Sequence, residues 1–161
     1  MTEYTRNLNE GDQAPNFSFT NGSGATCQLT DIIGKSRAVV YFYPRDFTPG
    51  CTHEAHDFTL HYIKFKRNDI KIIGVSPDNE ESHKKFRDKM KIPYSLASDP
   101  NNNIAKSYGV YGPKKFMGRE YVGVDRSSFL IGNDGNILKI FKKVKPAGHA
   151  EEVLRAFQIT E

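Results

Sequence analysis

The chain has 161 residues, 37% of them hydrophobic, with a formal charge of +4 and only two cysteines. That is enough apolar chain for a buried core in one domain, expected over residues 1–161, and too few thiols for a disulfide-stapled scaffold. Lysine clusters at Lys84-Lys85, Lys114-Lys115 and Lys142-Lys143 are short and scattered, which argues against nucleic-acid binding and leaves room for an acidic partner protein. No apolar window reaches the length of a membrane span or an export signal, so no membrane association is expected and the reducing cytoplasm is the expected compartment. Outside an export route, the glycosylation-pattern matches at Asn16 and Asn21 carry no weight.

Phe17 to Phe19 and Thr26 to Leu29 flank Asn21-Gly22-Ser23-Gly24 and predict an N-terminal β-hairpin. Ala38 to Tyr43 is an unbroken apolar and aromatic run, the pattern of a central strand buried on both faces. A helix is predicted from about Cys51 to Lys66, where Phe58, Tyr62 and Phe65 recur at helical spacing. Ile70 to Val75 reads as a second buried strand, and Glu80 to Met90 as a polar helix with Phe86 facing inward. A short strand over Tyr94 to Ala97 and a short helix over Asn101 to Tyr108 follow. Arg126 to Ile131 and Ile137 to Phe141 flank Gly132-Asn133-Asp134-Gly135, a strong hairpin signal. Ala150 to Phe157 makes the last helix. Strands alternating with helices and closing in a hairpin predict an α/β layered domain with a mixed sheet.

The chemistry concentrates where the first long strand ends, in Pro44-Arg45-Asp46-Phe47-Thr48-Pro49-Gly50-Cys51. A Pro-Gly turn delivers Cys51 to a helix start, where free N–H groups and the positive end of the helix dipole favour the thiolate. A buried structural thiol is the alternative, since free cysteines are often buried. The turn argues for a sulfur near solvent instead.

Pro44, Thr48 and Cys51 reproduce the P-x-x-x-T-x-x-C signature of the peroxiredoxins, and the fuller sequence resembles their bacterioferritin-comigratory or peroxiredoxin Q subfamily. The likeness runs nearly end to end, through Gly11-Asp12-Gln13-Ala14-Pro15, Gly74-Val75-Ser76-Pro77-Asp78, Arg126-Ser127-Ser128-Phe129 and Gly148-His149-Ala150-Glu151-Glu152. It implies a thioredoxin-like fold and a thiol peroxidase acting on hydrogen peroxide and organic hydroperoxides. It implies no cofactor or metal, a thioredoxin, glutaredoxin or small-thiol reductant, and a monomer or weak homodimer. Cys51 would be the nucleophile, Thr48 would share its hydroxyl with thiolate and peroxide, and Pro44 would shield the sulfur. Arg126 would hold thiolate and peroxide together; by itself it reads as a surface arginine at a strand end. Glu54, one turn after Cys51, reads either as the carboxylate that orients Arg126 or as a plain surface acid. Arg45 reads as electrostatic support.

Cys51, His53, Glu54, His56 and Asp57 crowd together and invite a zinc reading. Their spacing is not that of a known motif, Cys51 points away from the His53–His56 face, and no second cluster completes the ligand set. His53 and Asp57 read better as a helical surface pair. Many relatives carry a resolving cysteine five residues after the first, where this chain has His56. Cys27, in phase with Leu29, reads as a core residue rather than a resolving thiol. The expected route is therefore a one-cysteine mechanism, in which Cys51 becomes a sulfenic acid and an external thiol reduces it. Two rivals stand beside it. A thioredoxin-type oxidoreductase lacks its C-x-x-C here, and a redox sensor would pass the oxidation of Cys51 to a partner protein.

Overall fold

The computed structural model describes residues 8–21 and 23–158, so Gly22 of the predicted first turn lies outside the described residues. The hairpin itself forms, with β1 (Ser18–Thr20) antiparallel to β2 (Thr26–Gln28) and Phe19 opposite Cys27. Leu29 does not extend the strand. It opens the short helix α1 (Leu29–Ile32), because the Asp31 carboxylate accepts the Gln28 N–H at 2.8 Å in a capping box.

The remaining elements follow in order. They are β3 (Arg37–Phe42), α2 (Pro49–Leu60), α3 (Tyr62–Arg67), β4 (Ile70–Ser76), α4 (Glu80–Met90), β5 (Ser95–Ser98) and α5 (Asn103–Ser107), then β6 (Tyr111–Phe116), β7 (Arg119–Val124), β8 (Ser127–Ile131), β9 (Ile137–Phe141) and α6 (His149–Ala156). A five-stranded sheet has the order β5-β4-β3-β8-β9, with β3, β4 and β5 parallel and both β8 and β9 antiparallel to their neighbours. This is the predicted α/β architecture: a mixed central sheet, helices on both faces and an N-terminal hairpin.

β3 shows why its sequence lacks alternation. Ala38, Val40 and Phe42 join Phe17, Leu29, Tyr108 and Phe129 on one face. Val39 and Tyr41, with Tyr43 just beyond the strand, join Phe58, Phe65, Phe86 and Leu154 on the other. Both faces are covered, so every position is apolar. Gly74 lies opposite Tyr41, and a Cβ there would come within 2.9 Å of the Tyr41 ring. Glycine leaves room for that ring, which stacks on Phe58 at 4.8 Å and shares a 2.7 Å hydroxyl bond with Tyr94.

Two further features depart from the sequence reading. The helix predicted over Cys51 to Lys66 is broken at His61 into α2 and α3. A second hairpin, β6–β7, turns on Met117 and Gly118, whose φ of 53° and 80° suit a tight two-residue turn. Among the described residues, no helix is long and apolar enough to cross a membrane. The pairing that matters most sets Phe42 of β3 against Ser127 of β8. It brings Arg126, just ahead of β8, beside the end of β3 where the Cys51 loop begins.

Candidate active site

Thr48 is the N-cap of α2 and Pro49 its first helical residue, so Cys51 occupies the first turn. The sulfur points inward. Cys51 is 1% exposed and packs with Tyr43, Ala55 and Phe58, which overturns the expectation of a sulfur near solvent. The turn does lie at the surface, but Cys51 shares a helix face with Ala55 and Phe58, and that face is the one α2 lays on the sheet.

Arg126 reaches this buried sulfur from the residue just ahead of β8. Its Nη2 donates to Cys51 Sγ at 3.3 Å and its Nη1 to Glu54 Oε1 at 2.7 Å. Cys51 and Glu54 are three residues apart on one helix face, so a single planar fork spans both. Gly50 permits the approach: a Cβ there would stand 3.1 Å from Nη2. Glu54 is fully buried, not a surface acid. Burial pushes its carboxyl up to about 7, against the opposing pull of the Arg126 guanidinium. Burial likewise works against the charge on Arg126, but Glu54 and Cys51 outweigh it and hold the guanidinium above its ordinary range. Glu54 Oε2 has no hydrogen-bond partner among the described residues.

The Thr48 hydroxyl donates to the Arg45 carbonyl at 2.9 Å. Its hydrogen is thus engaged by that carbonyl, and its oxygen keeps lone pairs that can accept from a donor. Pro44 and Arg45 are exposed. The cation on Cys51 is Arg126, not Arg45.

Sequence reasoning missed the anchor beneath this loop. Asp46 is buried, and its carboxylate accepts the Tyr43 hydroxyl at 2.7 Å, the Ser82 hydroxyl at 2.8 Å and a 2.8 Å contact from His83 Nδ1. Its own N–H donates to Asp78 Oδ2 at 2.7 Å. His83 Nε2 faces the Ala97 carbonyl at 3.0 Å. Next to this anchor, Phe47 is held at φ 66°, a costly conformation for a residue with a side chain. One signal was available: His83 lies three residues before Phe86, on the same inward face of α4.

The crowded metal-like string does not converge. His53 and His56 are exposed while Cys51 and Glu54 are buried. The expected His53–Asp57 pair is replaced by other partners, because the Asp57 carboxylate accepts the Ala150 N–H at the start of α6 at 2.9 Å and lies 3.6 Å from His61. An acid–histidine group does gather at Asp46, Asp78 and His83, but hydrogen bonds already engage the oxygens and nitrogens that face one another. The deeply buried His149 contacts Ser128 Oγ at 2.8 Å and Glu152 Oε1 at 2.9 Å. Burial holds its pKa below the ordinary histidine value.

Cys27 is half-buried, packs against the core cluster opposite the one that holds Cys51, and receives the Asn21 amide at 3.2 Å. The central sheet therefore separates the two thiols. A disulfide needs Cα atoms less than about 7 Å apart, so the native fold does not allow this pair to join.

Residues 10–140 match the AhpC/TSA family. The chain is 42% identical to peroxiredoxin Bcp of Bacillus subtilis over 148 residues, covering 92% of this chain and 94% of that one. Among solved structures it is similar to a PrxQ of Xylella fastidiosa, with a TM-score of 0.87, 32% identity and coverage of 95% and 97%. It is also similar to the bacterioferritin comigratory protein of Xanthomonas campestris, studied for alkyl peroxide reduction, with a TM-score of 0.82, 34% identity and coverage of 88% and 90%.

Proposed function

The chain belongs to the AhpC/TSA family and is a thiol peroxidase of thioredoxin-like fold, and from that premise we propose that it works by a one-cysteine mechanism at Cys51. The substrates are hydrogen peroxide and organic hydroperoxides; alkyl peroxide reduction by the Xanthomonas campestris relative supports including the latter. The observation that carries this reading is the Arg126 fork, which bonds Cys51 and Glu54 at once.

The Cys51 thiolate attacks one peroxide oxygen. The S–O bond forms as the O–O bond breaks, the sulfur is oxidised to a sulfenic acid, and the departing RO⁻ takes up a proton as water or alcohol. Arg126 keeps its charge throughout and presents a donor where negative charge develops on the leaving oxygen. Glu54 positions the guanidinium. Thr48, with its hydrogen committed to the Arg45 carbonyl, accepts the peroxide O–H, and Pro44 fixes the bend before the loop. An external thiol then attacks the sulfenic sulfur, water leaves, and a second thiol frees Cys51. The cytoplasm would keep that thiol reduced. The separation of Cys27 from Cys51 by the sheet supports an external rather than an internal thiol.

The test is a pair of variants assayed for peroxide consumption with a monothiol. Cys51→Ser should abolish turnover with the fold intact, whereas Cys27→Ser should keep it. Turnover in Cys51→Ser, or a Cys27–Cys51 disulfide in the intact mass of the oxidised protein, would contradict the mechanism.

A further inference from the structure

A groove of about 600 Å³ opens beside the site, lined by Pro113, Lys114 and Lys115 of β6, by Arg126, and by Lys143 and Val144. Val144 donates its N–H to the Arg126 carbonyl at 2.9 Å, and Pro146 Cγ lies 3.5 Å from where a Gly50 Cβ would stand. The 142–146 segment thus runs past the first turn of α2, and the groove ends at the residue whose guanidinium holds the sulfur.

Its charge is one-sided. The groove's single acid, Asp125, is matched by Lys114 at 3.1 Å, and Lys114 also donates to the Val124 carbonyl. Arg126 is matched by Glu54. Lys115 and Lys143 are exposed and have no ion-pair partner among the described residues, and Lys142 and Lys145 stand exposed beside them. Two uncompensated ammonium groups on a groove walled by Pro113 and Val144 suit a small molecule with carboxylates on a short, partly apolar body.

We propose that this groove binds the carboxylates of a low-molecular-weight thiol and delivers its sulfur to the oxidised Cys51. The inference rests on the one-cysteine reading above. A small thiol fits better than a protein thiol because Cys51 is buried, only 1% exposed, behind the Arg126 that ends the groove. In the step served, the ligand's thiolate attacks the sulfenic sulfur. The new S–S bond forms, hydroxide leaves and is protonated to water, and the sulfenic sulfur is reduced as the ligand sulfur is oxidised. A second molecule of the same thiol then releases Cys51 and carries away the disulfide.

The experiment separates the two half-reactions in the full chain. Protein oxidised with one equivalent of hydrogen peroxide is mixed with glutathione, which carries carboxylates, with neutral 2-mercaptoethanol, or with cationic cysteamine, and loss of the sulfenic acid is followed. Lys115→Glu and Lys143→Glu lie outside the catalytic residues, at exposed positions. Each should slow reduction by glutathione about tenfold, leave 2-mercaptoethanol unchanged and speed cysteamine; added salt should shrink the glutathione effect. Equal rates in variants and wild type with glutathione, or an equal loss with all three thiols, would overturn the proposal. So would variants that slow only oxidation by a carboxylate-bearing hydroperoxide, since the groove would then serve the oxidant. Reduction by a thioredoxin but not by glutathione would overturn the small-molecule assignment. Failure of wild type to turn over peroxide with dithiothreitol would overturn the one-cysteine reading and the groove with it, whereas normal turnover without charge dependence would overturn the groove alone.

Discussion

Arg126→Ala separates what the guanidinium does for the reaction from what it does for the fold. One nitrogen lies 3.3 Å from Cys51 Sγ and the other 2.7 Å from Glu54 Oε1, so truncation removes both bonds together. Losing one pre-aimed donor to a developing anion slows a reaction on the order of a hundred- to a thousandfold, or about 3–4 kcal/mol of barrier, and the thiolate loses its cation as well. The stability cost comes from Glu54, which is fully buried and left without its partner. Breaking such a pair costs about 3–5 kcal/mol, and the lower end applies here. A carboxyl already lifted to about 7 can take a proton instead of staying charged. Arg126→Ala/Glu54→Gln should therefore recover most of the lost stability and none of the lost rate. The chain has no tryptophan, so rapid mixing with hydrogen peroxide, chemical trapping of the sulfenic acid and mass spectrometry give the rate, and thermal melts give the stability. An unchanged peroxide rate in Arg126→Ala refutes the assignment. Recovery of rate in the double variant would show that Arg126 acts only by neutralising Glu54.

Burial raises Glu54 from 4.5 to about 7, so the folded state holds that proton more tightly than the unfolded chain. Its contribution to stability is complete below pH 4.5 and is lost as pH climbs through 7, roughly 3 kcal/mol over the window. Wild type should lose stability relative to Glu54→Gln across that range, and parallel denaturation curves would contradict it. Asp46→Asn keeps the size of the loop anchor but leaves one acceptor oxygen for three donors. It should cost about 2 kcal/mol, speed amide exchange around residues 45–52 and slow the peroxide step; unchanged exchange would show that Asp46 does not restrain the loop. Position 56 lies about 140° around the helix from Cys51, and His56 is exposed while Cys51 is buried. Oxidised His56→Cys should form an internal disulfide only with loss of helix in α2, seen as falling helical circular dichroism; a disulfide without that loss would refute the geometry.

Much of this was legible in the sequence because the local chemistry is strong. The β3 run, the Phe86 face of α4 and the hairpin around Gly135 each carry a period or turn that few other structures satisfy. Cys51 stood out from its turn and helix start, whereas the roles of Thr48 and Arg126 came from resemblance; spacing alone would have left Arg126 on the surface, since it lies 75 residues from its partner. The depth of Cys51 was hidden because a turn signal reports where the backbone goes, not which way the first helical side chain points. The Asp46–His83 contact joins residues 37 apart, and no periodicity encodes it. β6–β7 was missed because Met117-Gly118 is not a common hairpin pair and Pro113 weakens the strand pattern.

The antiparallel pairing of β3 with β8 also sets the order in which the site comes into being. Cys51 leaves the ribosome well ahead of Arg126, and a chain ending before β8 carries the thiol without its cation or the strand that holds it. Glu54 in such a chain lacks the guanidinium that donates to it at 2.7 Å, and the Cys51 sulfur lacks its donor at 3.3 Å. On the mechanism proposed above, the site is complete only once β8 lies beside β3.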